Sequence, residues 1–574
     1  MVESEWQRNG DAVARCQILR PLLRHLVFVA DFVEKFLSHG TRRELSRSLV
    51  DEVKREFDHL GIPDYRVVMA HGSASNFETS HGDVLNAFLG PVSSGAPAQP
   101  EPFSFFRLPR FEGSSVPWRP ALLGHEAAHV AIPEHNTLTS FGLAQRFDVV
   151  AGAIDNPIGQ GPTAAIGLFR IATAWLEELV CDAHALRRFG PSAVASLAEY
   201  LTSLNADMAP SRSHPHGLLR IHLLAKALGQ PTTPRLSAVV QPWMGITDQD
   251  VEPSEPWARY LTGLFLNNAA DLTTCASSLT GPSFDENDAS SAVLAIADRL
   301  KEGVPGTELV SRPAGLSDAH DVDVINASWV ARSEDADAPL NRLGTKALEN
   351  LDFVRRWKSA GGVVPTDLYN QEPLGQWADA GGVLTRDALI ARLKADDNRR
   401  LEVLPALQYP EGAGLDLRLS NRFISFRRTG VPTFDPLAKA DPRSMQLTSE
   451  LAWTEQFVLH PHEMVLGSTL EYLVMPVDLT AQVISRSSYG RLGLLTATAV
   501  QVHPGFKGCL TLELVNLSNV PLTLTPGERI AQLVVSRTEP VTGVPVKYTC
   551  PIGPEFSRVR DDHEAKVLRK IRRG

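Results

Sequence analysis

The stretch from Leu459 to Glu539 constrains the fold of this 574-residue chain most strongly. Within it, residues 483–535 alternate short β-branched runs with glycine, proline and asparagine. Because such punctuation ends strands every few residues, the pattern predicts many short strands in a barrel or sandwich. Inside one apolar run, between Thr511 and Val515, lies Glu513. A carboxylate in such a strand is costly to bury unless it has a partner or a chemical role.

Three motifs in this stretch stand in an order found in a known family. They are the run RSSYGRLGL at 486–494, the segment 499–508 with its Pro504-Gly505 turn, and the run LELVN at 512–516. Together they resemble the phosphate-and-base segment, the D-P-G turn and the catalytic strand of the dCTP deaminase family, within the dUTPase-like superfamily. Residues 382–405, 412–423 and 547–558 resemble the opening helix, an early strand and the C-terminal segment that folds over the triphosphate.

The resemblance implies an all-β dUTPase-like barrel that deaminates dCTP, or a related cytosine nucleotide, to dUTP and ammonia. Zinc-dependent deaminases carry an H-x-E…P-C-x-x-C signature, which this sequence lacks. A zinc-free route needs a general base to activate water. The resemblance gives that role to Glu513, with Ser487 and the Ala499 backbone orienting the water and Arg491 stabilising charge at the reacting centre.

The same resemblance implies how the nucleotide is held. Arg486, Ser487, Ser488 and Lys547 would bind the triphosphate, with Mg²⁺ bridging its oxygens. The substrate-binding residues implied in addition are Arg491, Ala499, His503, Thr511 and Glu513. In the family the sites lie between the subunits of a homotrimer, so a homotrimer or a multiple of it is expected.

Three positions depart from the family pattern. His503 stands where the family has the Asp of D-P-G, Pro551 stands where a Gln is usual, and Tyr548 follows Lys547 instead of preceding it. A phosphate-and-base pocket is still expected. The preferred nucleotide stays open between dCTP, a ribonucleotide, dCMP and a modified cytosine, and a protein that only binds nucleotide is a further alternative.

A second group of motifs lies in the N-terminal half, in ALLGHEAAHVAI from Ala121 to Ile132. His125 and His129 are four residues apart, so on a helix they project from one face about a turn apart. Glu126 lies beside them. This HExxH arrangement provides two zinc ligands and a carboxylate that can deprotonate a zinc-bound water.

Two later segments fit the same site. Glu178 and Asp182 lie four apart in a helical stretch, so Glu178 is the candidate third zinc ligand and Asp182 a candidate acceptor for the other ring N–H of a ligating histidine. The segment Ser213–Arg220 adds a His-Pro pair and an arginine. The set resembles the gluzincin metallopeptidases of the Ste24/HtpX type, although we interpret His214 and His216 as surface-loop residues.

Both sites have a structural alternative. Glu513 can be a buried glutamate that pairs with Arg491 or Arg486 and has no catalytic role. His125 and His129 can be solvated or core histidines of an ordinary helix. A zinc site without peptidase activity is a third possibility.

Composition excludes several other classes of protein. A net charge of -10 argues against broad binding to nucleic acid or to an anionic membrane. The five cysteines are scattered without a CxxC pair, which fits a reducing cytoplasm. The N-terminus is polar, and the most apolar early run, residues 22–37, is too charged to span a bilayer. We therefore expect a cytoplasmic protein without membrane or direct nucleic-acid partners.

The fold class expected is multidomain α+β. Residues 1–230 are expected to form a mostly α zincin-like metallopeptidase domain, and 231–380 a helical continuation or linker domain. Residues 381–560 are expected to form the barrel domain and 561–574 a basic C-terminal tail. Residues 12–60 are predicted to hold two helices, and residues 88–102 a loop.

Two functions follow. The first is an active deaminase fused to a zinc metallopeptidase that acts on a protein or peptide. The second is a metallopeptidase regulated by a catalytically inactive, nucleotide-sensing barrel. Because two hydrolytic sites on one chain suggest mutual control, a regulated antiviral protein that depletes nucleotides is one expected use.

Overall fold

The structure of the protein is a computed structural model. It describes residues 47–62, 66–71, 78–81, 103–108, 115–148, 162–203, 209–335, 339–375, 381–426, 434–436, 442–497, 501–541 and 548–572. The chain divides into two compact units, one made of Met1–Ser46 with Asp64–Ser114, the other of Arg47–Pro63 with Ser115–Gly574. The domain boundaries expected at 230, 380 and 560 stay predictions.

The first unit contains a three-stranded mixed sheet. Its strands are β1 (Arg66–His71), β2 (Glu78–His81) and β3 (Phe103–Leu108), in the order β1-β3-β2. Strand β1 runs parallel to β3, and β2 runs antiparallel to it. Sequence analysis predicted no strand here. The first predicted N-terminal helix and the predicted loop at 88–102 lie outside the described residues.

The second unit begins with helix α1 (Arg47–His59), which confirms the second helix predicted near the N-terminus. A π-helix, Pro120–Glu126, then leads without a break into α2 (Ala127–His135). The helices that follow are α3 (Leu143–Asp148), α4 (Pro162–Phe189), α5 (Pro191–Ser203), α6 (Gly217–Leu228), α7 (Pro234–Val240), α8 (Pro256–Asn267), α9 (Ala269–Ala276), α10 (Glu286–Lys301), α11 (Asp321–Glu334) and α12 (Leu340–Ser359). A short hairpin of β4 (Leu309–Arg312) and β5 (Gly315–Asp318) lies between α10 and α11. The helical character expected of this half of the chain is confirmed.

The rest of the chain is rich in strands. Helix α13 (Arg386–Lys394) opens it, the single turn α14 (Ser487–Gly490) interrupts it, and α15 (His563–Ile571) closes it. The strands are β6 (Glu402–Leu404), β7 (Leu415–Arg418), β8 (Arg422–Phe426), β9 (Gln446–Glu450), β10 (Phe457–Leu459), β11 (Met464–Ser468), β12 (Tyr472–Val474), β13 (Leu479–Ser485), β14 (Leu494–Ala497), β15 (Gln501–Val502), β16 (Lys507–Gly508), β17 (Thr511–Asn516), β18 (Leu522–Leu524) and β19 (Arg529–Arg537).

These strands form several sheets around one apolar core. The larger two have the orders β14-β17-β11-β8-β9 and β15-β13-β19-β7, and smaller ones have the orders β16-β12-β6 and β10-β18. Alternate residues of β17, Leu512 and Leu514, point into the core with Phe423, Val465 and Val483. This period of two is the one that the sequence showed. The β-rich character is confirmed, and closure into a barrel stays a prediction.

Helix α12 packs directly against the β-rich region. Phe353 and Val354 of this helix share an apolar cluster with Leu407 and Leu470. Lys346 is fully buried and donates from Nζ to the Leu470 carbonyl at 2.5 Å. A buried ammonium needs such a partner, so this contact fixes the helix on the sheets. No helix in the described ranges is both long and apolar enough to cross a membrane.

Candidate metal centre and nucleotide site

The HExxH residues lie where the π-helix passes into α2. Gly124, in the π-helix, lies so close to α4 that an added Cβ would stand 2.7 Å from the Ala185 Cβ. Since only glycine permits this approach, the helix carrying His125 and His129 can rest against α4. The wider π turn is of a kind often found at functional sites. As a result the two histidines face Glu178 of α4.

Three side chains form a triangle there. Nε2 of His129 lies 3.2 Å from Nε2 of His125. Nε2 of His125 lies 3.3 Å from Oε2 of Glu178, and Nε2 of His129 lies 3.5 Å from Oε1 of the same carboxylate. Among the described residues, this is the set of His, Cys, Asp and Glu side chains close enough together to hold a metal ion.

The shape of this triangle can be tested against zinc. Four ligands at about 2.0–2.1 Å from a tetrahedral zinc ion stand about 3.3–3.4 Å from one another. The Nε2–Nε2 distance is close to that value, as are the two distances to Glu178, which end on different oxygens of its carboxylate. The donor set, two imidazoles and one carboxylate, is also one that zinc takes in catalytic sites with one position left open. The residues therefore fit zinc in chemistry and in spacing.

The other ring nitrogens also have partners. Nδ1 of His125 lies 2.8 Å from Oδ1 of Asp182, and Nδ1 of His129 lies 2.8 Å from Oε1 of Glu177. When the imidazoles are neutral, as metal binding requires, the nitrogen that faces a carboxylate carries the hydrogen, so each Nε2 lone pair is left for the ion. Sequence analysis named Asp182 but missed Glu177. The only signal for Glu177 was its position one residue before Glu178.

Arg220 of α6 completes the charge balance behind the triangle. Its guanidinium donates to both oxygens of Asp182, at 2.7 and 2.8 Å, and lies 3.3 Å from Oε2 of Glu178. Burial would raise the pKa of each carboxyl group, but Arg220 and the histidines hold both pKa values below the usual range. Burial likewise opposes protonation of His125, yet Asp182 and Glu178 raise its pKa to about 10. Both carboxylates are thus ionised at neutral pH.

Two further residues lie at this site. Glu126, which lies between the two histidines in the sequence, is buried. Its role as a general base stays a prediction. His214 lies closer to the cluster than its sequence context suggested, with Nε2 3.4 Å from Oε1 of Glu178 and its side chain 46% exposed. His216 is different: it caps α6 by accepting a hydrogen bond from the Leu218 N–H.

Glu513 lies on the outer face of the five-stranded sheet. It stands opposite Leu466 of β11 and Ala497 of β14, while its neighbours Leu512 and Leu514 point into the core. Glu513 is half-buried, and it makes no hydrogen bond or ion pair with any residue that the structure describes. The structural alternative, a pair with Arg491 or Arg486, is therefore not found there.

The RSSYGR segment forms a turn at the end of β13. Arg486 lies 3.5 Å from Asp416 and donates to the Arg529 carbonyl at 3.3 Å, so it belongs to the four-stranded sheet. Ser487, Ser488 and Arg491 are exposed, and their side chains make no hydrogen bond within the described ranges. Four polar groups on one turn, three of them unengaged, suit an anionic ligand.

The start of this turn is tied to the sheet that carries Glu513. The Thr496 N–H donates to Oγ of Ser485, the residue before Arg486, at 3.0 Å. Thr496 lies in β14, which pairs with β17, and its neighbour Ala497 stands opposite Glu513.

The remaining predicted residues divide into three groups. Thr511 shares the outer face with Glu513, and its Oγ1 accepts a hydrogen bond from the Glu555 N–H. His503 is exposed at the turn that contains Gly505, where a φ of +76° suits glycine. Ala499 and Lys547 lie outside the described residues.

Comparison with known proteins gives an independent result for this region. Residues 383–538 match a family model described as dCTP deaminase-like. The dCTP deaminase of Halorubrum lacusprofundi is 40% identical over 164 residues, which cover 27% of this chain and 81% of that protein. The dUMP-forming dCTP deaminase of Halobacterium salinarum is 38% identical over 190 residues, covering 32% and 97%.

The chain belongs to the dCTP deaminase family. Among solved structures, the 2'-deoxycytidine 5'-triphosphate deaminase of Agrobacterium tumefaciens has a TM-score of 0.22 and 23% identity, covering 28% of this chain and 48% of that one. Glu513 and the RSSYGR turn fall inside the matched range 383–538. The His125–His129–Glu178 cluster falls outside it, so membership of the dCTP deaminase family says nothing about the metal centre.

Proposed function

We propose that the β-rich region deaminates dCTP, or a closely related cytosine nucleotide, to the uracil nucleotide and ammonia. The observation that carries the proposal is Glu513, a half-buried carboxylate without a partner in the described residues, on a strand that matches the dCTP deaminase family. An ionisable group that is left unpaired beside apolar neighbours is a strong candidate for chemistry.

The reaction adds water across C4 of cytosine and expels the amino group as ammonia. Glu513 takes a proton from the attacking water and passes protons to N3 and to the leaving amine. Ser487 and the Ala499 backbone orient the water, and Arg491 stabilises the charge that develops at the reacting centre. Every proton removed from water thus returns to the products, and no zinc is required.

The turn at Arg486, Ser487 and Ser488, together with Lys547, holds the triphosphate. Mg²⁺ bound to the phosphate oxygens would supply charge neutralisation there. As the resemblance to the dCTP deaminase family implies, we propose a homotrimer with sites at its interfaces. Exposed apolar side chains in the β-rich region support this, namely Leu492, Leu495, Leu517, Val520, Met464 and Phe426, which are 38–60% exposed.

A matched pair of variants tests the base. Glu513→Gln keeps the size and polarity of the side chain but cannot accept a proton, so turnover should fall about 10²–10⁴-fold while nucleotide binding is retained. Glu539→Gln, at an exposed glutamate of the same region, should behave like the wild type. Ammonia release and uracil nucleotide formation are measured for both. Wild-type turnover by Glu513→Gln would disprove the mechanism.

Product and substrate range are separate questions. Relatives of both kinds exist, dCTP deaminases and dUMP-forming ones. His503 and Pro551 replace residues that the dCTP deaminase family uses near the sugar and the phosphates. We propose dUTP as the product, and chromatography of the nucleotide formed distinguishes it from dUMP.

A second function is supported by the histidine cluster. We propose that His125, His129 and Glu178 bind Zn²⁺ and that the helical half of the chain is a metallopeptidase of the zincin type. Bound zinc would lower the pKa of a water molecule and polarise a peptide carbonyl. Glu126 would accept the proton of that water, while Asp182 and Glu177 orient the two histidines through Nδ1.

The alternative function keeps the metallopeptidase and makes the β-rich region a nucleotide sensor. It predicts nucleotide binding without turnover, so the Glu513→Gln comparison also decides between the two. An active deaminase under the control of the metal site would deplete a DNA precursor on demand, and we propose antiviral defence as its use.

A further inference from the structure

The C-terminal segment Tyr548–Arg558 passes the start of β17, the strand that carries Glu513. The Cys509 N–H donates to the Pro551 carbonyl at 2.7 Å, and the Glu555 N–H donates to Oγ1 of Thr511 at 3.1 Å. Gly508 allows this approach, because an added Cβ would stand 2.4 Å from Pro551. The segment thus runs beside β16 and the first residue of β17.

Helix α12, from the helical part of the chain, holds this segment from outside. Arg342, in its first turn, forms an ion pair with Glu555 through Nη2, and its Nη1 donates to the Thr549 carbonyl at 3.4 Å. One guanidinium therefore ties together two points of the segment six residues apart. The Glu555 side chain is only 17% exposed, so the pair is partly shielded from water.

A second anchor lies deeper. Arg422 of β8, whose side chain is 17% exposed, lies between Glu349 of α12 and the Ile552 carbonyl, with a further ion pair to Glu450 at 3.5 Å. Burial disfavours the charge on Arg422, but Glu349 and Glu450 raise its pKa above the usual value. Helix, sheet and segment thus meet at one charged side chain, which is costly to separate from its partners.

The position of the segment matters because of its neighbours. Thr511, which receives the Glu555 N–H, and Glu513 are two residues apart on the same face of β17, roughly 7 Å along the strand. A shift of the segment at Glu555 therefore changes the surroundings of Thr511, two residues from the proposed base.

We propose that helix α12 is a clamp that holds segment Tyr548–Arg558 beside Glu513, with Arg342 as the positioning residue for the nucleotide site. This inference rests on the proposed deaminase function and deepens it. The clamp orders the segment before the nucleotide binds. Less of the binding free energy is therefore offset by the entropy lost on ordering the segment. Loss of the clamp weakens nucleotide binding and leaves the chemical step unchanged.

The same turn of α12 also touches the metal-site half of the chain. Asn341, the residue before Arg342, accepts a hydrogen bond from the Val116 N–H at 3.1 Å. Val116 begins a short 3₁₀ turn that leads into the π-helix with His125. Neighbouring residues of one helical turn therefore contact both the clamped segment and the 3₁₀ turn that precedes the π-helix.

The experiment compares Arg342→Ala with Arg355→Ala in the full-length protein. Arg355 lies on the same helix, is 39% exposed against 43% for Arg342, and pairs with Asp321, away from the segment. Hydrogen exchange of residues 548–558 and the KM and kcat for dCTP are measured. For Arg342→Ala we expect faster exchange of the segment and a KM raised about 5-fold, with kcat within about 2-fold of the wild type. Arg355→Ala should change neither.

A charge swap tests the pair itself. Arg342→Glu and Glu555→Arg should each loosen the segment, and the double variant should restore slow exchange and a low KM. Unchanged exchange in Arg342→Ala would overturn the clamp, and faster exchange with an unchanged or lowered KM would overturn its role for the nucleotide. Hydrogen exchange reports on the clamp even in a protein without turnover, whereas absent turnover in the wild type refutes the proposed function.

Discussion

The histidine cluster allows a quantitative test of metal binding. The perturbation is the removal of one ligand, His129→Ala. In the structure the three side chains form a triangle. The two Nε2 atoms are 3.2 Å apart, and those of His125 and His129 lie 3.3 Å from Oε2 and 3.5 Å from Oε1 of Glu178, against about 3.3–3.4 Å between ligands of tetrahedral zinc. Because the donor atoms are already this close together, we expect one Zn²⁺ per chain in the wild type.

The carboxylate that orients His129 can be tested separately from the ligands themselves. Glu177 is 38% exposed and contacts His129 only through Nδ1, so Glu177→Gln should fold normally. Loss of such an orienting carboxylate usually costs 10–100-fold in metal affinity. Loss of the ligand in His129→Ala should cost more than that. His135→Gln, on the same helix but outside the triangle, is the control.

The assay is elemental analysis of protein purified without chelator, followed by zinc titration. A chelator should also lower the thermal stability of the wild type. Zinc at a hundred times its dissociation constant stabilises the folded state by about 2.7 kcal/mol, and this increment should be absent in His129→Ala. Stoichiometric zinc in the double variant of His125 and His129 to alanine would refute the ligand assignment.

Two further predictions concern packing and pH. Gly124→Ala should lower the free energy of unfolding by about 1–3 kcal/mol and lower the zinc content, because the added Cβ collides with the Ala185 Cβ at 2.7 Å. Gly245 has open space around it, so Gly245→Ala should change neither the calorimetric stability nor the zinc content. Burial raises the pKa of Glu471 to about 7, although the Arg418 backbone N–H donates a hydrogen bond to its carboxylate. The protonated Glu471 therefore contributes to the stability of the folded state below the pKa that it has in the unfolded chain. This contribution is lost as the pH rises through 7. Glu471→Gln should therefore remove a decline on the order of 3 kcal/mol between about pH 4.5 and 7 in the free energy of unfolding, and an unchanged pH profile would contradict this.

Some of this architecture was accessible from sequence. A period of two with glycine and proline punctuation predicted the strands around Glu513, and a helical spacing of four placed His125 and His129 on one face. Helical spacing also brought Glu178 and Asp182 onto one face of α4. In each case a local repeat carries the information, because residues close in sequence are held at fixed relative positions by the element itself.

Contacts between residues far apart in the chain could not be predicted from the sequence. Arg342 and Glu555 lie 213 positions apart, and no local pattern in either segment points to the other. Glu177 was missed for a related reason. Its function depends on facing Nδ1 of His129, and this contact depends on how two helices pack. Strands β1 to β3 were missed because each is short, although FSFFRL in β3 has alternating buried positions at Ser104, Phe106 and Leu108.

The central claim is that Glu513 serves an active cytosine nucleotide deaminase. The most direct measurement incubates the full-length protein with dCTP, dCMP, CTP and a modified cytosine nucleotide, and follows ammonia and the uracil product together. Our account predicts equimolar ammonia and uracil nucleotide from dCTP, with both lost in Glu513→Gln. Nucleotide binding without ammonia from any member of the panel would contradict it and favour the sensor.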